Sequence, residues 1–210
     1  MSRLIKRVAD RVVSAILLVL LSPLLAAIAF WIVLDGGLPA VLPQERAGKH
    51  GRPFRMLKFR TMVQNALELA PDLTEDPFGV VENDPRVTRP GRFLRRTGLD
   101  ELPQLWNVVR GEMSLVGPRP DLVEQAANYT HHDRRRLTVE PGITGWSQVN
   151  GRESIGWPER IEQDLWYIDH WSLWLDATIL WRTFSELGRG GEHPAEDTMN
   201  IERRKAKERA

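Results

Sequence analysis

The sequence predicts an α+β protein, mainly helical with one short β-hairpin, carrying an N-terminal helix-break-helix that re-enters a membrane and interfacial amphipathic helices. Three observations predict it. An uncharged run of 23 residues, Val12 to Leu34, has Ser22-Pro23 at its middle. Two short apolar pieces flank Gly48-Lys49-His50-Gly51-Arg52-Pro53. Apolar residues recur at helical spacing from Leu102 to Val109 and again through a Trp-rich stretch over 159–187. With 210 residues the chain suits a domain plus an anchor: residues 1–37 as membrane helix, 38–187 as the folded domain, and 188–210 as a charged, disordered tail.

The N-terminal run exceeds the roughly 18 apolar residues that suggest a membrane segment. Arg3, Lys6 and Arg7 before it and Ala27-Ile28-Ala29 within it imitate a signal peptide. The run nevertheless continues apolar through Phe30 to Leu34, so the segment is expected to be retained. Pro23 removes a backbone hydrogen bond at mid-helix and predicts a kink there. Basic residues flank both ends: Arg3, Lys6, Arg7 and Arg11 before, then Arg46, Lys49, Arg52, Arg55 and Lys58 after. The positive-inside rule therefore favours two ends on one side, with Ser22 and Pro23 at the break, over a straight span.

After the anchor, the pattern predicts a hairpin over 40–62 and a short helix around Asn65 to Leu69. A polar loop follows, containing Pro71, Pro77, Gly79, Pro85 and Pro90. A helical piece from Arg92 to Arg96 ends at Gly98. Leu102, Leu105, Trp106 and Val109 then mark a helix that ends at Gly111. Gly117-Pro118-Arg119-Pro120 is expected as loop, a helix as running from Leu122 to His131-His132, and Pro141 to Gly145 as loop again. Residues 159–187 read as two helices joined near Ser172, their Trp side chains serving as core or as membrane-interface contacts.

Composition bounds the function. Basic residues number 29 and acidic ones 28, a net charge of +1, so bulk charge predicts no nucleic-acid partner. Absence of cysteine excludes disulfide scaffolds and Cys-ligated zinc and agrees with a cytosol-facing location. The chain contains no P-loop, Rossmann, serine-hydrolase or Asp-x-Asp motif. His131 and His132 read as surface residues, since no further ligand at metal spacing accompanies them.

What remains is the pair Asp100-Glu101. Acidic residues at a helix start are ordinary caps, and Thr97 to Asp100 has capping-box spacing. The arginines around them exceed what one helix start needs: Arg86, Arg89, Arg92 and Arg95 at every third position, Arg96 beside them, and Arg119 downstream. Their guanidinium forks suit phosphate, although a solvated or anionic-lipid-facing surface accounts equally well for Arg86, Arg89 and Arg92. Neighbouring residues on a helix point about 100° apart, so the two carboxylates cannot stack as a glycosidase pair and are expected to hold separate jobs.

Longer motifs then accumulate in order. They are Ser22-Pro23, Lys58-Phe59-Arg60-Thr61-Met62, Arg95 through Leu102, Ser114 through Pro120, and Pro141-Gly142-Ile143-Thr144-Gly145-Trp146-Ser147-Gln148-Val149-Asn150-Gly151-Arg152. Over about residues 3–185 they resemble the bacterial sugar transferase family, monotopic polyprenyl-phosphate glycosyl-1-phosphate transferases. The resemblance implies a re-entrant helix at the bacterial cytoplasmic membrane and a catalytic domain facing the cytosol. It also implies transfer of a sugar 1-phosphate from a UDP-sugar to a polyprenyl phosphate such as undecaprenyl phosphate. By the same matching Asp100 would be the nucleophile and Glu101 a Mg²⁺ ligand. Lys58, Arg95 and Arg119 would contact phosphate or support the site, and Arg152 would lie near the nucleotide sugar. The stretch from Leu34 to Leu42 departs from the family pattern. The rival reading is a catalytically silent scaffold that uses the arginines to hold anionic lipid.

Overall fold

The computed structural model describes residues 2–66, 68–69, 84–151 and 155–187. Arg152, the charged tail and the stretch holding Pro71, Pro77 and Gly79 lie outside the described residues.

Two helices open the chain, α1 (Ser2–Leu20) and α2 (Ser22–Gly36), bent by 63° at the break between them. Proline explains the bend in atomic terms. Lacking an N–H, Pro23 cannot bond to the carbonyl of Val19, and the Ser22 hydroxyl donates to that carbonyl instead, at 2.8 Å. The Ser-Pro pair thus bends the chain without leaving an orphan acceptor. No single helix among the described residues is long and apolar enough to cross a membrane; the bent pair together passes that test of length and composition.

The amphipathicity of α1 is turned inside out. Leu4, Ile5, Val8, Val12, Val13, Ile16, Val19 and Leu20 are exposed, whereas Lys6, Asp10 and Ser14, spaced four apart, face the rest of the protein. Lys6 pairs with Asp10 at 3.2 Å and with Asp176 at 2.8 Å, and the Ser114 hydroxyl donates to Asp10 at 2.5 Å. In water this arrangement would put the wrong face outward. The second helix docks differently, through Ile28 and Ile32 against Phe59 and Leu94. Its C-terminal carbonyls are closed by Arg60, donating to Gly37 O at 2.6 Å, and by Gln64, donating to Gly36 O and Leu38 O at 3.0 and 2.9 Å.

The hairpin forms as expected: β1 (Val41–Ala47) pairs antiparallel with β2 (Pro53–Phe59), Leu42 opposite Lys58 and Arg46 opposite Phe54. Beyond it the expected helix at Asn65 to Leu69 is absent among the described residues. The chain makes hydrogen-bonded turns there, with Ala66 N bonding Val63 O at 3.2 Å and Leu69 N bonding Asn65 O at 3.2 Å. Next come α3 (Arg89–Thr97) and α4 (Gln104–Arg110), separated by a single 3₁₀ turn, Leu99–Glu101.

The glycine- and proline-rich loops hide an element that periodicity could not show. Ser114–Val116 (β3) and Gly142–Thr144 (β4) pair in parallel, which corrects the reading of 141–145 as loop. Side chains are excluded at the crossing: a Cβ on Gly142 would lie 2.1 Å from Gly117 N. The helix expected to reach His131-His132 is also shorter. It ends as α5 (Val123–Ala127), and a 3₁₀ segment, Asp133–Thr138, follows once Thr130 and Asp133 cap one another. The chain finishes with α6 (Trp146–Val149), α7 (Trp157–Asp169) and α8 (Leu173–Leu187), the last two meeting near Ser172 as anticipated.

One main core joins these parts: Met56, Leu105, Val108, Met113, Leu115, Val116, Tyr167 and Ile179, with Leu17 and Leu18 of α1 packed against it. Trp174, Trp181 and Phe184 on α8 stay exposed, so the Trp-rich stretch supplies an apolar outer face as well as core.

Candidate active site

The two carboxylates do not start a long helix. They lie in the 3₁₀ turn, and Pro103 occupies the position just before α4. Gly98 sets this turn up. In the left-handed conformation at φ 67°, it closes the C-terminus of α3 and immediately opens the turn that carries Asp100 and Glu101. Thr97, whose spacing suggested a capping box, instead donates back to Phe93 O at 2.8 Å and belongs to the end of α3. The cap reading is therefore corrected.

With no capping role, Glu101 turns to cations brought from elsewhere in the chain. Lys58 from the end of β2 reaches its Oε1 at 2.9 Å, and Arg119 from the loop after β3 reaches the same oxygen at 3.0 Å. Burial would raise the Glu101 pKa, but Arg119 and Lys58, through charge and hydrogen bonds, outweigh it and hold the carboxyl at about 2. Asp100 moves the other way. Burial, assisted by the charge of Glu101, pushes its pKa above the ordinary value against the pull of Lys58, Arg119 and Arg95. Two adjacent carboxylates thus differ in character: one is a fixed anion and the other is poised nearer neutrality.

Arg95 does not pair with the dyad in the way its neighbours do. Its Nε donates to Thr61 Oγ1 at 2.9 Å, and it acts on Asp100 as a nearby charge. Arg86 leaves the expected stripe altogether. It is 2% exposed and held by Asp84 at 2.8 Å, because only 89–97 are helical and the three-residue recurrence does not continue as a face.

A buried network stands behind Arg119 that the sequence reading did not find. Arg136 donates to the carbonyl of Arg119 at 3.1 Å, pairs with Asp164 at 2.7 Å, and bonds to Asp121 and to the Tyr129 hydroxyl. Ser147 donates to Asp164 at 2.7 Å. The Tyr129 hydroxyl also bonds Asp121, and burial raises its pKa, so it remains a donor. These residues come from five places in the chain that share no local motif, so only folding reveals their convergence. Arg46 is a further cation near the dyad, within electrostatic range of Arg119, Asp121 and Glu101. In the sequence it counts only among the basic residues after the membrane run.

The donor set is compatible with Mg²⁺. Among the described residues no group of three or more His, Cys, Asp or Glu forms a cage. Mg²⁺ characteristically uses one or two carboxylates and completes its shell with water and substrate phosphate, which a permanently ionised Glu101 beside Asp100 could provide.

Comparison with known proteins identifies relatives of this chain. The family model for bacterial sugar transferases matches residues 1–190. A UDP-galactose-lipid carrier transferase of Erwinia amylovora is 45% identical over 191 residues, covering 87% of this chain and 40% of the relative. A UDP-glucose:undecaprenyl-phosphate glucose-1-phosphate transferase of Escherichia coli is 43% identical over 190 residues, covering 87% and 40% respectively. An uncharacterized sugar transferase, EpsL of Bacillus subtilis, is 41% identical over 177 residues, covering 84% of both chains. The chain therefore spans 40% of the first two relatives and most of the third. On the match over residues 1–190, which takes in the dyad and every cation around it, the chain belongs to the bacterial sugar transferase family.

Proposed function

We propose that this chain is a phosphoglycosyl transferase that moves a sugar 1-phosphate from a UDP-sugar to a polyprenyl phosphate as the first membrane step of glycan assembly. The observation that carries the reading is the convergence of Lys58 and Arg119 on Glu101, beside an Asp100 that burial keeps from being a simple ion-pair partner. Relatives named for UDP-galactose, UDP-glucose and undecaprenyl phosphate supply the substrate classes.

In the first step an Asp100 carboxylate oxygen attacks the β-phosphorus of the UDP-sugar. The bond from that phosphorus to the bridging oxygen breaks, and UMP leaves with the electron pair. In the second step a phosphate oxygen of the polyprenyl phosphate attacks the same phosphorus, and the Asp100 carboxylate is released with the polyprenyl diphosphosugar. Lys58, Arg95 and Arg119 would draw the diphosphate in and stabilise charge on its oxygens. Glu101 would ligate Mg²⁺, which when bound neutralises phosphate oxygens. Holding Glu101 ionised keeps that ligand available at any physiological pH. Arg152 is assigned to the nucleotide sugar on the resemblance.

The reading places residues 1–37 in the bilayer as a re-entrant anchor and 38–187 on the cytosolic face. Support comes from the outward apolar face of α1, the Ser22-Pro23 bend, and the exposed Trp174 and Trp181 of α8, which suit a membrane interface. Cysteines placed singly at positions 2 and 49 of the membrane-embedded protein should react with an impermeant thiol reagent from the same side; opposite-side reaction would sink the re-entrant topology. Incubation with a panel of UDP-sugars carrying label in the β-phosphate should leave label on the protein, release UMP, and pass the label to polyprenyl phosphate. A silent scaffold would do none of these.

A further inference from the structure

The strand that carries Arg46 is tied to the candidate site in two ways. Arg46 shares a face of the hairpin with Lys58, because Leu42 lies opposite Lys58, Arg46 lies opposite Phe54, and residues four apart on a strand point the same way. Its guanidinium turns back along that face, where Nη2 donates to Gln44 Oε1 at 3.1 Å. The next residue, Ala47, donates its N–H to Asp121 O at 2.9 Å, which fastens β1 to the segment carrying Arg119. Arg136 holds the same segment from behind through the Arg119 carbonyl at 3.1 Å. Arg46 thereby lies within electrostatic range of both Arg119 and Glu101.

That proximity sets two cations against one another. Oε1 of Glu101 already accepts from Lys58 and Arg119. The Nε of Arg46 is buried without a hydrogen-bond partner among the described residues. Burial and the charge of Arg119 both lower the Arg46 pKa, outweighing Asp121 and Glu101. In this half-buried guanidinium the buried Nε lacks a partner, and an anion would supply one. Its planar fork matches two phosphate oxygens, and Arg119 alongside doubles the match for a diphosphate.

We propose that Arg46 is a further substrate-binding residue, contacting the diphosphate of the nucleotide sugar in partnership with Arg119. The identity of that diphosphate rests on the transferase reading; the anion site itself does not.

Wild type, Arg46→Gln and Arg46→Lys are compared in two assays that separate these ideas. In the first, inorganic pyrophosphate is the probe and the melting temperature the readout. Wild type is expected to be stabilised by pyrophosphate. Arg46→Gln is expected to melt no lower than wild type without ligand and to lose most of the pyrophosphate shift, and Arg46→Lys to retain only part of it. In the second, KM for the UDP-sugar rises roughly tenfold to a hundredfold in Arg46→Gln, as expected for a lost charged hydrogen bond. There kcat changes by less than about threefold, and KM for polyprenyl phosphate is unaltered. A wild type indifferent to pyrophosphate, an Arg46→Gln that keeps the full shift, or a KM increase confined to polyprenyl phosphate would each overturn the proposal. Should Arg46→Gln fail to fold, an unchanged pyrophosphate shift in Arg46→Lys overturns it equally. A wild type that binds pyrophosphate through Arg46 yet transfers no sugar phosphate leaves the anion site standing and removes the transferase reading instead.

Discussion

Replacing Asp100 by asparagine is expected to abolish transfer of the β-phosphate label to the protein and lower turnover by at least about three orders of magnitude, while raising rather than lowering thermal stability. The first effect follows from removing the nucleophile. An amide neither attacks phosphorus usefully nor leaves as a carboxylate in the second step. The second effect follows from the electrostatics of the turn. Burial and Glu101 push the Asp100 pKa above its unfolded value of 3.8. For an acid shifted upward, the neutral form is favoured by folding, so its contribution is complete below 3.8 and is lost as pH rises through the folded pKa. At neutral pH the wild-type carboxylate is therefore a burden on the fold, and a neutral isostere removes that burden. The same shift places the acid limb of the pH–rate profile above that of an ordinary aspartate, since the carboxylate is the reactive form. Paired assays decide the matter: labelling with the UDP-sugar that wild type accepts, and thermal melts at pH 7. A variant that labels normally would eliminate the covalent role, and a variant that melts well below wild type would contradict the burial of a charge that its cations only partly compensate.

The site was legible in the sequence to the extent that its chemistry is local. Asp100 and Glu101 are adjacent, Gly98 and Pro103 bracket them, and Pro23 announces the bend between α1 and α2. The hairpin was legible because six consecutive turn-forming and polar residues, Gly48 to Pro53, lie between two short stretches that each carry apolar residues. Partners that converge from a distance were legible only by resemblance, through the motifs that hold Lys58 and Arg119. Lys58 and Arg119 approach Glu101 from 43 and 18 residues away, and no spacing rule says that both end on one oxygen. Arg136 illustrates the limit best. It sits in the run Arg134-Arg135-Arg136 and looks like a solvated charge, yet it is 3% exposed and organises Asp121, Asp164 and the Arg119 carbonyl. Its neighbour Arg135 is a surface residue paired with Asp169. Three-residue strands such as β3 and β4 are equally silent, since neither is long enough to show alternation. The arginine recurrence from Arg86 to Arg95 misled for the opposite reason: a period means a face only where the chain is helical, and Arg86 precedes α3.

Glu101→Gln is expected to fail in the opposite sense to Asp100→Asn, losing both activity and stability. Lys58 and Arg119 converge on Glu101, and their charges hold its pKa at about 2 against an unfolded value of 4.5. A carboxyl lowered on folding contributes stability that is complete above 4.5 and is lost as pH falls from there to about 2. A shift of that size corresponds to roughly 3 kcal/mol at neutral pH. Glutamine can still accept one hydrogen bond, but it takes from two part-buried cations the anion they share, the arrangement that makes one-sided removal of an ion pair costly. Denaturant unfolding at pH 7 should show a loss of about 2–3 kcal/mol. The gap should shrink as pH is lowered below 4.5, where Glu101 of the unfolded chain takes up a proton that the folded carboxyl still refuses. Turnover should fall by about two orders of magnitude or more, because the same change removes the proposed metal ligand and lets Lys58 and Arg119 drift from the positions that would receive the diphosphate. A double replacement separates the two losses. If Glu101 matters to the fold mainly as the anion for Lys58, then Lys58→Met combined with Glu101→Gln should recover part of the stability lost by Glu101→Gln alone and none of the activity. Additive losses in the double variant would show that the ion pair is not what holds this turn. Recovery of stability without activity would tie the depressed carboxyl to both jobs at once: Glu101 stays charged because cations surround it, and those cations stay in place because Glu101 is charged.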